Sequence, residues 1–225
     1  MRSISITAVT AGGLLAMAGL ACAETPVAVV EEVQGKPAGI EFMDYVGAGK
    51  VIKLGSRDRI VLGYLKSCWR ETITGGTVTI GTEQSEVQRG TVERIRVKCD
   101  GGRMQLMTNQ AVQSAGAISR AIDTVNKPAT LPEPRFTIYG QSPIIELRGG
   151  GVLLVERVDQ ASERYQIAVG KPQLVRGSFF DFARANWLLA SGGLYRATFG
   201  SNQITFKVDP AATAAAPVIA RLVRF

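Results

Sequence analysis

Two cysteines, Cys68 in "LKSCWRE" and Cys99 in "RVKCDGG", stand in a chain of 225 residues that contains no histidine, and together these facts limit its fold and chemistry more than any other feature. A third, Cys22, lies in the opening segment "MRSISITAVTAGGLLAMAGLACAETP". There an early Arg2, an apolar run through Leu20 and the small residues Ala21-Cys22-Ala23 before Glu24 have the pattern of a secretory signal, residues 1–23, with an A-x-A cleavage site. The apolar run falls short of the about 20 residues that a membrane-spanning helix needs. Export places the rest of the chain where thiols are oxidised, and the two remaining cysteines are then expected to pair. A bridge closing a loop of about 30 residues stabilises by about 3 to 4 kcal/mol on the chain-entropy account.

Other uses of the cysteines meet obstacles in the residue inventory. There is no C-x-x-C, so the common dithiol redox motif is absent. A Cys/His zinc site takes about four ligands, and a cysteine nucleophile leans on a histidine base. Serine triads lack the same base. No serine is followed by Lys at the third position, as penicillin-recognising enzymes require. "GAGKV" at 47–51 has Val51 after the lysine and Asp44 where a phosphate loop has its first glycine. "RGGGVLL" at 148–154 lacks dinucleotide-binding spacing, so both glycine runs are expected to be turns. No cofactor and no metal are expected. A lipid anchor on Cys22 is the rival of soluble export, although Gly19 occupies the place where lipoprotein signals usually carry Leu.

The exported part is expected to be all-β, in two small domains. Residues 24–112 form a disulfide-stapled, glycine-punctuated β domain, 113–134 a Pro-containing linker, and 135–225 a sandwich-like β domain. In the first domain "VAVVEEV", "GKVIKL", "RIVLGYLKSCW", "GTVTIG", "TVERIRVKC" and "RMQLMT" read as short strands, with Gly75-Gly76 near a turn and Asp100-Gly101 starting a hairpin. Ile95, Val97 and Cys99 alternate with Arg94, Arg96 and Lys98, which predicts an apolar inward face and a basic outward one. "AVQSAGAISRAIDTV" at 111–125 has helical spacing. In the second domain Tyr195, Ala197 and Phe199 share one face and Ile204, Phe206 and Val208 another, across a hairpin at Gly200-Ser201-Asn202. "SFFDFARANWLLASGG" reads either as a short helix after Ser178 or as a strand and loop. "PVIARLVRF" is expected to be a final packed strand, because Arg221 interrupts the apolar alternation that an outer-membrane barrel strand would show.

The run from Gly49 to Leu106, with Val97, Asp100, Gly101 and Leu106 in comparable places, resembles the periplasmic FecR-like domain, whose glycine-punctuated strands lead to a D-G hairpin. "LLASGGLYRATF" is similar to the sandwich domains that follow in some members. The resemblance implies an envelope sensor or scaffold module without catalysis, and it carries over no catalytic residue. The expected function is therefore that of an exported, non-catalytic binding or scaffold protein of the bacterial cell envelope, periplasmic or secreted. Its net charge of +7 suits an anionic envelope polymer, or an envelope protein, as partner. Export removes nucleic acid from reach, and no later stretch is long and apolar enough to span a membrane. Arg94, Arg96 and Lys98 are the candidate anion-binding residues, with solvation of an edge strand as the competing role. The alternative function is a carboxylate-dependent hydrolase of an envelope polymer, with Glu71, Glu83, Glu86, Glu93 and Asp100 as the sequence cluster to inspect.

Overall fold

The computed structural model describes residues 25–37, 39–101, 131–160 and 163–225. The expected leader with Cys22, the helix expected at 111–125, the expected strand "RMQLMT" and most of the expected linker lie outside the described residues. What is described is nearly all β. The first half has β1 (Pro26–Gln34), β2 (Tyr45–Gly47), β3 (Val51–Tyr64), β4 (Trp69–Thr79), β5 (Glu86–Gln88) and β6 (Thr91–Arg96). These form one sheet in the order β2-β1-β3-β4-β5, with β6 also pairing β4.

Central β3 is apolar on both faces from Ile60 to Tyr64 and is buried there on both, as its sequence predicts. One face packs a core of Ala28, Val30, Ile60, Leu62, Tyr64, Ile73 and Val78. Two expected strands, "GKVIKL" and "RIVLGYLKSCW", meet in one 14-residue strand that ends at Tyr64, short of the cysteine, and is interrupted by a bulge between Leu54 and Arg59. The Asp58 carboxylate accepts from the Gly55 amide inside that bulge, at 2.8 Å. The opposing Gly75 and Gly76 therefore lie within β4 and not at a turn. A bulge needs backbone that ordinary residues resist, and both glycines have positive φ. A Cβ on Gly76 would stand 2.4 Å from the Gln88 carbonyl oxygen, in a left-handed backbone with φ +83°. Gly76→Ala is expected to lower stability by about 1 to 3 kcal/mol, measured as a shifted denaturation midpoint; an unmoved midpoint would refute this close approach.

The second half holds β7 (Phe136–Gly140), β8 (Ile144–Glu146), β9 (Gly151–Arg157), β10 (Arg164–Val169), β11 (Phe179–Asp181), β12 (Leu194–Phe199), β13 (Asn202–Thr213), α1 (Val218–Arg221) and β14 (Leu222–Val223). A five-stranded sheet, β10-β9-β12-β13-β7, and a three-stranded one, β11-β8-β14, enclose a shared core. The β12–β13 hairpin pairs Tyr195 with Phe206 and Ala197 with Ile204. Both apolar sets thus lie on the same inner face, because directly paired residues project to the same side. "SFFDF" takes the strand-and-loop form, with Phe180, Phe182, Tyr165 and Trp187 packing ring against ring. The C-terminus is a single helical turn followed by a two-residue strand, not one continuous strand. Ile219 leaves the second half's sheets at that turn to pack on the first half.

That contact is a third apolar cluster in which Val29, Met43 and Leu65 meet Ile144, Val175, Phe179, Val218, Ile219 and Leu222. Gly63 makes it possible, since a Cβ there would come within 2.2 Å of Ile219 Cγ2. An isolated glycine in the apolar run "VLGYL" is the sequence trace of such an approach.

Candidate functional site

Cys68 and Cys99 are joined, with Sγ–Sγ 2.02 Å and Cα–Cα 5.6 Å. The bridge differs from expectation in its setting. Cys68 is the last residue of the β3–β4 turn, with φ +58°, and not a strand residue. Its carbonyl oxygen accepts from the Val97 amide at 3.0 Å, so the disulfide extends the β4–β6 pairing past the end of β6.

The three candidate anion-binding residues follow one another here but do not present one open face. Arg94 lies opposite Glu71 in the β4–β6 register and turns inward. Its Nε donates to Glu71 Oε1 at 2.6 Å and its Nη2 to the Ser85 carbonyl oxygen at 2.7 Å. Glu71 is fully buried and also accepts from the Ser85 amide at 3.1 Å. The Ser85 hydroxyl shares a 2.7 Å hydrogen bond with Tyr64, whose phenol burial pushes up to about 12. Ile95 correspondingly faces out, 46% exposed, so the inward and outward residues of β6 are the reverse of the predicted ones over this stretch. The reason is the partner: a buried carboxylate on β4 demands a cation opposite it more strongly than a half-exposed isoleucine demands burial. The alternation itself continues past Arg96: Val97 and Cys99 share the face of Ile95 and Arg70, and they reach the apolar seam between the halves while Ile95 lies beyond its edge.

Arg96 is exposed, lies over the Trp69 ring at 5.2 Å and donates to the Ser67 carbonyl oxygen at 3.2 Å. Lys98, also exposed, borders a shallow groove of about 230 Å³ whose wall includes Val97, Tyr139, Ala216 and Ala220, residues of both halves. Arg96 and Lys98 are thus the solvent-facing cations of the stripe, and Arg94 is an internal one.

The carboxylates of the sequence cluster are dispersed. Glu71 is bound to Arg94, Glu83 meets Lys66 at 3.6 Å on the surface, and Glu86 and Glu93 are exposed on separate strands. Elsewhere Arg221 holds Asp181, Arg224 holds Glu146, and Arg157 holds Asp159 and Glu163. The Arg157 hydrogen bond keeps the Asp159 carboxyl below the usual carboxylate range. Among the described residues no group of three or more Asp, Glu or Cys side chains is placed to hold a metal ion.

The seam between the halves has a polar set that the sequence reading missed. Glu31 of β1 is buried and accepts from Arg70 Nε at 2.6 Å and from the Ile219 amide at 2.9 Å. The Tyr45 hydroxyl donates to Glu146 at 2.9 Å, and Arg176 binds both Glu41 and Asp44 across the seam. Beside that pair an open groove of about 640 Å³ is lined by Val33, Lys36, Ile40, Phe42 and Arg176. Strand periodicity did not mark Glu31, because a bulge between Val30 and Glu32 interrupts the β1–β3 register at this residue. No family model, no curated protein and no solved structure matches this chain.

Proposed function

We propose that the chain is an exported, non-catalytic binding or scaffold protein of the bacterial cell envelope, with an anionic envelope polymer or an envelope protein as partner. The observation that carries this reading is the use made of the ionisable side chains. The buried carboxylates Glu71 and Asp181 are each held by an arginine, in contacts that fasten neighbouring elements within one half. A general acid or base must be free to exchange its proton with a substrate, whereas groups committed in this way serve rigidity. Solvent-facing cations, among them Arg96 and Lys98, remain for contact with a partner.

The leader-like opening segment and the Cys68–Cys99 bridge support export, since disulfides persist in oxidising compartments. The resemblance of Gly49 to Leu106 to FecR-like domains supports the envelope and the scaffold role. The net charge of +7 favours an anionic partner.

The test substitutes Arg96 and Lys98 together with Ser and leaves Arg94 in place, because removing Arg94 would confound binding with folding. The expected result is weaker retention of the double variant on vesicles rich in anionic lipid or on an acidic envelope polysaccharide, with the parent's retention itself falling steeply as salt rises. Retention equal to the parent's at low salt would remove this surface from the account.

A further inference from the structure

We infer that the Glu31 carboxyl is a proton-responsive latch: it ties the two halves together through the Ile219 amide, and taking up a proton there tightens the junction. The geometry comes first. The Glu31 side chain is 2% exposed at the seam, and its two oxygens face different halves, Oε2 toward Arg70 of β4 and Oε1 toward the Ile219 amide of α1. The floor is Gly63 of β3, where a Cβ would lie 2.7 Å from Glu31 Oε1. The charged groups facing it are Arg70 from β4 and Arg221 from α1, and Asp181 of β11 accepts from Arg221 at 2.7 Å. Its neighbour Glu32 binds Arg59 at 2.9 Å.

Closing the junction removes water from Glu31. Burial, the largest influence, pushes its carboxyl above the ordinary 4.5, against the downward pull of the Ile219 amide and of Arg70. Opening the junction returns water and removes that upward push, while Arg70, in the same half as Glu31, stays beside the carboxyl. The closed state therefore holds a proton more tightly than the open one, and by linkage protonation favours closure. The sign is fixed by that difference: the extra stability is fully present below the open-state value and is lost as pH rises through the raised closed-state value. A protonated Glu31 keeps a carbonyl oxygen for the Ile219 amide. Arg70, with 27% of its side chain exposed, then turns to water.

The rim of the seam also carries ion pairs, Glu41 and Asp44 on Arg176 and Glu146 on Arg224, which a change of pH reaches together with Glu31. Glu31→Gln separates the two effects, since an amide keeps an acceptor for Ile219 and has no proton to take up. Hydrogen exchange by NMR on the oxidised chain, corrected for intrinsic rates, reads the junction at the Ile219 amide, with the Phe206 amide in the second core as the reference for global unfolding. The expected result is a several-fold rise in Ile219 protection relative to Phe206 on acidification from neutral pH through the range in which the chain stays folded, absent from Glu31→Gln. Flat or falling protection, or the same rise in both proteins, would overturn the latch. If the variant does not fold, the carboxyl carbon shift of Glu31 in the parent decides: a titration midpoint above 4.5 supports the latch, and one at or below 4.5 overturns it.

Discussion

Arg94→Ala is expected to lower the stability of the oxidised chain by about 3 to 5 kcal/mol, the usual cost of leaving one member of a buried ion pair behind. Glu71 is fully buried, and without Arg94 its charge would be left with the Ser85 amide as hydrogen-bond donor. Arg94 itself keeps 30% of its side chain exposed, which places the effect toward the lower end of that range. Replacing both residues with Leu should cost clearly less than the single change, because no charge then remains to be buried. Arg94→Lys should fall between, as one ammonium cannot reach both Glu71 Oε1 and the Ser85 carbonyl oxygen in the guanidinium's fork. Chemical denaturation of the four proteins gives the comparison. A single variant as stable as the parent would show that Arg94 and Glu71 do not form the buried pair.

The second large effect is expected from the disulfide. Substituting Ser for both Cys68 and Cys99, which lie 31 positions apart, should cost about 3 to 4 kcal/mol. Against a typical total stability of about 5 to 15 kcal/mol, that loss unfolds a substantial fraction of a marginal domain at elevated temperature. The loss should be concentrated in the first half, because the bridge joins the β3–β4 turn to the segment leaving β6. Cys68 also holds a left-handed backbone that favours glycine or asparagine, so Cys68→Asn with Cys99→Ser should recover part of the loss. Thermal unfolding followed separately at the two tryptophans, Trp69 in the first half and Trp187 in the second, distinguishes local from general weakening. Equal transition temperatures for the parent and the serine variant would exclude a stabilising role for the bridge.

The all-β class and the cysteine pair were legible because each rests on local signals that tertiary context rarely reverses. Alternating β-branched residues between glycines specify strands, and the expectation of a leader, and so of an oxidising setting, pointed to the bridge. The β12–β13 hairpin was readable as a hairpin, but its connection is the two residues Gly200-Ser201 and not the three expected, and this register brings both apolar sets to one face. Lengths were harder. "GKVIKL" and "RIVLGYLKSCW" read as two strands because Gly55 and Asp58 carry turn chemistry, which here makes a bulge against Gly75 and Gly76. A bulge and a turn use the same residue types, and only the partner strand tells them apart.

The polar architecture was least legible, for a physical reason. The orientation of β6 depends on Glu71, 23 residues away in sequence, and periodicity within β6 carries no information about it. The seam depends on Gly63, Glu31 and Ile219, the last two separated by 188 positions. Gly63 left a trace in its own strand, yet it does not name its partner, and the bulge at Glu31 breaks the alternation that would have marked that carboxylate. The candidate site was readable in the same proportion. Arg96 and Lys98 emerge on the surface as the alternation suggests, while Arg94 is drawn inward by a residue that local sequence does not reveal.

Peptide mass spectrometry under non-reducing conditions, on chain recovered from the extracytoplasmic fraction of an expressing bacterium, tests the account most directly. The result it predicts is an N-terminus at Glu24 and a peptide crosslinking Cys68 to Cys99. Full-length chain in the cytosol, beginning at Met1 with both thiols free, would contradict it.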